Sequence, residues 1–140
     1  MNEGYAGDLS PKEAWALLEK EAKAVLIDVR TAPEWGFVGV PRLDGLGKEA
    51  VCISWQAYPT MARNENFVEE VAAKGVAKDQ PVLLLCRSGA RSRAAAIALT
   101  AAGFGPCYNV AEGFEGDRDS ALHRGSVGGW KVAGLPWAQG

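Results

Sequence analysis

Cysteine and histidine are scarce in this chain, with Cys52, Cys86, Cys107 and a single His123 among 140 residues. An odd, sparse cysteine count excludes a disulfide framework and points to free thiols in a reducing, cytosolic compartment. A lone histidine with no Cys or His partner at ligand spacing leaves no metal motif, so neither a metal nor an organic cofactor is expected. His123 is expected at the surface or in a packing role. Long apolar runs are also missing; nothing approaches the roughly 20 residues that a membrane helix needs. The stretch from Met1 to Ser10 carries Glu3 and Asp8. It has neither the basic start nor the apolar stretch of a secretory signal. Repeats and low-complexity tracts are absent, so one domain over residues 1–140 is the expectation.

What is present is ordinary in bulk and uneven in detail. Apolar residues make up 48% and charged residues 23%, the balance of a globular domain rather than a disordered or fibrous chain. The net charge is −2, yet between Gln80 and Ala111 there is no acidic residue and no lysine, only Arg87, Arg91 and Arg93. A small basic spot on an acidic molecule lacks the broad basic face of nucleic-acid binding. It suits a small anionic ligand.

The periodicity alternates between strand-like and helical. Ser10 is placed as an N-cap, with Pro11 at the first helical position and Glu13 completing a capping box, so a helix is expected over Ser10–Lys20. Ala24–Val29 and Pro81–Cys86 are short apolar runs that read as buried strands. Pro33, Pro41, Pro59 and several glycines break the pattern between Thr31 and Thr60, leaving loops and one short strand near Val51–Ser54. Helices are expected over Asn64–Lys74, stopped by Gly75, and over the alanine-rich Ser92–Ala102, stopped by Gly103. The second of these is apolar almost all round and should be buried. Cys107–Val110 reads as a last strand. From about 112 to 137 a glycine-rich stretch carries Trp130 and Trp137, expected to be a long loop region with a short closing segment, packed on by its aromatics. Strands separated by helices indicate an α/β fold with a largely parallel sheet.

The informative stretch is Leu84-Leu85-Cys86-Arg87-Ser88-Gly89-Ala90-Arg91-Ser92-Arg93. A buried strand delivers Cys86 to its carboxyl end, where ligands bind in open α/β sheets. Loop N–H groups and a helix N-terminus surround the sulfur, Gly89 gives the backbone its freedom, and Arg87 and Arg91 add charge. These features stabilise a thiolate and would hold an oxyanion beside it. The alternative is a buried structural cysteine followed by a solvated arginine turn.

The run Cys86 to Arg91, followed by Ser92 and an alanine-rich helix, resembles the six-residue active-site loop of the rhodanese superfamily. Leu26-Ile27-Asp28-Val29-Arg30 with Glu34-Trp35 is similar to that family's first strand and acidic turn. Tyr108 to Gly113 and Gly129 to Pro136 resemble its last strand and tail. The resemblance implies a doubly wound α/β domain with a mainly parallel five-stranded sheet flanked by helices. It further implies sulfur transfer from thiosulfate or a persulfide donor to cyanide or a thiol, free or on a protein, through a persulfide on Cys86. Arg87, Ser88, Gly89, Ala90, Arg91 and Ser92 would bind the donor's anionic group. In place of the family's common Gly-His-Ile-Pro-Gly stretch stands Gly36-Phe37-Val38-Gly39-Val40-Pro41, without the histidine. The segment from Phe114 to Gly129 is longer than usual and could shape or cover the pocket.

Two other chemistries share parts of this pattern. A cysteine phosphatase or arsenate reductase places arginine six positions after its cysteine; that position is Ser92, and Arg91 falls one residue early. A non-catalytic module using the same fold for partner binding would not need Cys86. Asp28 and Arg30 end a strand on the pocket side, either as a pair supporting the loop or as substrate contacts. Cys52 and Cys107 are expected as packed small hydrophobes, and Trp35 and Phe37 as candidate pocket walls.

Overall fold

In the computed structural model, which describes residues 4–139, the chain begins with strand β1 (Gly7–Leu9), helix α1 (Pro11–Lys20) and strand β2 (Val25–Asp28). A single π-helical turn over Glu34–Val38 leads to β3 (Val40–Pro41), a short 3₁₀ turn and β4 (Val51–Cys52). A small hairpin, β5 (Gln56–Ala57) and β6 (Ala62–Arg63), precedes α2 (Phe67–Ala73). Then follow β7 (Val82–Leu85), α3 (Ala90–Ala101), β8 (Cys107–Val110) and the closing β9 (Trp137–Ala138).

Five of these strands form one wholly parallel sheet in the order β1-β8-β7-β2-β4. The central strand explains why the sheet is sandwiched. Val82, Leu83, Leu84 and Leu85 are all fully buried, as a parallel strand covered on both faces requires. Strand alternation sends Val82 and Leu84, with Ile27, toward Phe67 and Val71 of α2 and Ala95, Ala96 and Leu99 of α3. Leu83 and Leu85, with Leu26, face Ala14 and Leu18 of α1 and the C-terminal Phe114 and Trp130. Helices on both faces make the doubly wound α/β architecture.

Local signals account for most boundaries. The Ser10 hydroxyl accepts from the Glu13 N–H at 3.1 Å, and the Glu13 carboxylate accepts from the Ser10 N–H at 2.8 Å. Such a cap is worth about 1 kcal/mol. Several elements differ from the sequence reading: between Thr31 and Thr60, where one short strand is expected, stand β3, β4 and β5, two-residue strands too short to carry a periodicity. β1 is only three residues long and half-polar, and it is held as an edge strand through pairing with β8. Too short to show alternation, it left no sequence signal. α3 starts at Ala90 rather than Ser92, because Gly89 takes the left-handed backbone (φ +111°) that turns the chain straight into the helix. One face of α3 is buried and the other only half-covered, so it is not enclosed all round. The C-terminal stretch is, as expected, a loop region anchored by its aromatics and ended by a short closing segment. Trp130 is fully buried, donates its indole N–H to the Pro136 carbonyl at 2.7 Å and meets Trp15 edge-on. β9 then pairs antiparallel with β3.

Beneath the carboxyl edge of the sheet lies a buried ion pair. Asp28 and Arg30 are both 0% exposed. The Arg30 Nε donates to Asp28 Oδ1 at 2.9 Å, and Nη2 donates to Asp28 Oδ2 and to the Gly39 carbonyl, both at 2.7 Å. Its guanidinium lies 4.3 Å from the centre of the Phe114 ring, a cation–π stack. One side chain thus ties the end of β2 to the turn before β3 and to the segment after β8. Removing one partner of a buried pair strands the other charge, at a cost of about 3–5 kcal/mol. Asp28→Ala is therefore expected to lower unfolding free energy by about that amount in urea denaturation; a loss below 1 kcal/mol would contradict this role.

Candidate active site

Cys86 directly follows the last residue of β7, so the sheet presents its sulfur at the carboxyl edge. The residue is 1% exposed. Its Sγ accepts from the Gly89 N–H at 3.1 Å and lies 3.2 Å from the Ser92 Oγ. The turn between them is tight for a steric reason. A Cβ on Gly89 would stand 2.1 Å from the Ala111 carbonyl oxygen, and the backbone there is left-handed, so only glycine fits. The reciprocal contact is made by Gly113 (φ +66°), where a Cβ would meet the Arg87 carbonyl group at 2.5 Å. The Phe114 N–H donates to the Cys86 carbonyl at 2.8 Å, and those of Glu115 and Gly116 donate to the Arg87 carbonyl at 3.0 and 3.2 Å. The loop's carbonyls are thereby engaged by the C-terminal stretch. The first turn of α3 brings the positive end of its dipole to the sulfur.

Behind the sulfur runs a polar chain. Ser92 is fully buried, and its Oγ lies 2.5 Å from Asn109 Oδ1. Asn109 Nδ2 donates to Asp8 Oδ1 at 3.1 Å, and the Tyr5 hydroxyl donates to the same oxygen at 2.9 Å. The Asn109 amide is thus oriented with its oxygen toward Ser92. The single Ser92 proton serves either Asn109 or the sulfur, so this hydroxyl can accept from a thiol or donate to a thiolate.

In front of the sulfur is an open cavity of about 310 Å³. Cys86, Arg87, Ser88, Ala90 and Arg91 line it from the loop and α3, and Glu34, Gln56 and Met61 line it from the opposite side. Arg91 does not face it with a free charge. Its Nη1 and Nη2 donate to the two Glu34 carboxylate oxygens at 2.8 and 3.0 Å. Glu34 is itself fixed by the Thr31 N–H at 3.1 Å and the Thr31 hydroxyl at 3.0 Å. Burial would raise the Glu34 pKa, but the Arg91 bonds and charge, with those of Thr31, outweigh it and hold the carboxyl at about 2.

The structure brings together the residues of the sequence-read loop: Cys86, Arg87, Ser88, Ala90 and Arg91 at the cavity, Gly89 and Ser92 behind the sulfur. Asp28 and Arg30 lie buried below and touch the site only through Gly39 and Phe114. The segment Phe114–Gly129 does not line the cavity; its first residues brace the loop from behind. Trp35 and Phe37 are not walls: neither lines the cavity, and Phe37 is 80% exposed. Their place is taken by Glu34, Gln56 and Met61, the last two on the β5–β6 hairpin, whose short strands had no periodicity to read. Asn109 was also missed; a polar residue within an otherwise buried strand was its one available signal.

The other thiols are not activated. Cys107 is buried, as expected, and burial pushes its thiol pKa up. Cys52 is exposed rather than packed, because β4 is the edge strand. Crowding around its sulfur, with the nearby Asp28 charge, lifts that thiol to about 11. His123 is exposed in the tail. Among the described residues no group of His, Cys, Asp and Glu could hold a metal ion, and no helix is long and apolar enough to cross a membrane.

Comparison with known proteins agrees with this geometry. A family model described as the STR4 middle domain matches residues 6–140. The crystal structure of Rv0390 from M. tuberculosis superposes with a TM-score of 0.88 at 47% identity, covering 97% of this chain and 99% of that one. The polysulfide-sulfur transferase homodimer of Wolinella succinogenes superposes with a TM-score of 0.62 at 25% identity, covering 98% of this chain and 80% of that one. The thiosulfate sulfurtransferase GlpE of Actinobacillus succinogenes is 30% identical over 129 residues, spanning 92% of this chain and 87% of that protein. With this loop, this sheet order and these relatives, the chain belongs to the rhodanese superfamily.

Proposed function

We propose that the chain works as one rhodanese-like domain and is a sulfurtransferase, with Cys86 as nucleophile and carrier of the transferred sulfur. The observation that carries this reading is the Cys86 sulfur held by the Gly89 N–H and set beside the Ser92 hydroxyl, at the head of α3 and facing a cavity. In the first step the Cys86 thiolate attacks the sulfane sulfur of thiosulfate or a persulfide. A new S–S bond forms, the donor's S–S bond breaks, and its electron pair leaves with sulfite or a thiolate. The terminal sulfur of the Cys86 persulfide then carries the negative charge. N–H groups of the Arg87–Ser92 segment and the helix dipole are preorganised to hold it. In the second step a thiolate or cyanide attacks that outer sulfur, and the Cys86 thiolate is the leaving group.

The names of the GlpE and Wolinella relatives support this chemistry. Phosphatase or arsenate chemistry is disfavoured by the loop itself. At the position where those enzymes need a free arginine stands Ser92, buried against Asn109, while Arg91 is committed to Glu34. Three free thiols and the absence of an activated second cysteine favour a reducing, cytosolic setting and direct transfer to an external acceptor.

Intact-protein mass spectrometry after treatment with thiosulfate or a persulfide is expected to show a gain of one sulfur atom, removed by cyanide or thiol. Cys86→Ser should show none while melting normally. A folded wild type that gains no sulfur from any sulfane donor would favour a non-catalytic binding module instead. Gly89→Ala is expected to cost about 1–3 kcal/mol of stability and to slow sulfur loading at least about tenfold, because the turn must open away from Ala111. Unchanged loading would show that the Gly89 N–H does not position the sulfur.

A further inference from the structure

The charge balance of the cavity extends the sulfurtransferase reading, on which it rests. Around the sulfur, Arg91 is neutralised by Glu34 through two hydrogen bonds, and both side chains are largely buried, 17% and 19% exposed. Arg87 is the remaining cation of the lining and is exposed. Once Cys86 is a thiolate, it offsets Arg87, so the lining has no net charge. The Gly89 N–H and the helix end supply partial charge suited to one sulfur anion. Beyond Glu34, whose charge is taken up by Arg91, the opposite wall offers the Gln56 amide and the half-exposed Met61 thioether, a soft, adaptable contact for a carbon chain.

We propose that Glu34 is a specificity-determining residue, which by holding Arg91 adapts the cavity to hydropersulfides of low-molecular-weight thiols in preference to the thiosulfate dianion. The favoured loading step is balanced: the Cys86 thiolate and R–S–SH give the Cys86 persulfide anion and R–SH. The outer sulfur moves to Cys86, the donor's S–S bond breaks, and the departing thiolate takes the donor's proton. Charge is −1 before and after, and the cavity never holds more than that. With thiosulfate the same attack gathers three negative charges, leaving sulfite with two, in a lining that has no free cation beyond Arg87. An organic donor also uses the wall of Gln56 and Met61, which a bare oxyanion leaves unused.

The experiment compares kcat/KM for cysteine hydropersulfide and for thiosulfate in wild type, Glu34→Gln, Arg91→Ala and the double variant, with thermal melts as the folding control. Gln can keep its one carbonyl oxygen for the Thr31 donors and Arg91 Nη1, while its NH2 group replaces the oxygen that accepts from Arg91 Nη2, so the charge and that one hydrogen bond are removed. Wild type should prefer the hydropersulfide. Glu34→Gln should raise kcat/KM for thiosulfate by on the order of tenfold, with a much smaller change for the hydropersulfide. It should also tighten inhibition by sulfate, a dianion that transfers no sulfur. Arg91→Ala, which uncovers the Glu34 carboxylate, should depress thiosulfate use most, and adding Glu34→Gln should restore part of it. If wild type prefers thiosulfate, or if both substitutions leave the donor ratio and the sulfate inhibition unmoved, the proposal is overturned while sulfur transfer stands. If Cys86 takes sulfur from neither donor, the sulfurtransferase reading falls first and this inference with it.

Discussion

Three segments at the carboxyl end of the sheet meet on one buried guanidinium. Arg30 is held by Asp28 from its own strand, bonds the carbonyl of Gly39 and stacks under Phe114. Those two contacts fix the turn that carries Glu34 and the segment whose N–H groups brace Cys86 and Arg87. The sheet alone would place Cys86 at its edge but would not set the opposite wall. A charged pair is an expensive way to fasten three segments, since both groups are taken out of water. Its advantage is geometric: a planar fork satisfies the carboxylate, a carbonyl and an aromatic face together, which no apolar side chain does.

In the proposed reaction the loop supports the Cys86 nucleophile with backbone rather than with a general base. No histidine stands near the sulfur, and the chain's lone histidine is exposed in the tail. The groups facing Sγ are a peptide N–H and a hydroxyl whose proton has two possible destinations. The hydroxyl would suit the proposed cycle of thiol, thiolate and persulfide, because it donates or accepts without a change in net charge. Asn109, held by Asp8 with Tyr5 on the same carboxylate, keeps that hydroxyl in place.

What was legible in the sequence follows from how local each signal is. The capping box at Ser10 and Glu13, the apolar run of β7 and the Cys86–Arg91 loop are contiguous, and each lies where the sequence places it. β1 could not be read, since three half-polar residues become a strand only when β8 lies beside them. The opposite wall of the cavity was equally invisible. Glu34 meets Arg91 across 57 positions, and Gln56 and Met61 arrive on a hairpin with two-residue strands. Pairing across such distances is decided by the fold. The consequence is chemical as well as structural: Arg91 read as a free cation beside the sulfur, whereas the folded chain has already given it a counter-ion.

The contact between the two glycine turns also acts as a length gauge. Gly89 lies against Ala111 and Gly113 against Arg87, so near that neither tolerates a single added carbon. An extra residue between Cys86 and α3 would have only the Glu34 side into which to bulge, because the Ala111 side is closed. There it would occupy the cavity and draw Ser92 away from the sulfur. The size of anion that this loop can encircle is therefore ruled from outside the loop, by the turn after β8. Room for a larger oxyanion would have to be made at Ala111–Gly113, well away from Cys86 in sequence.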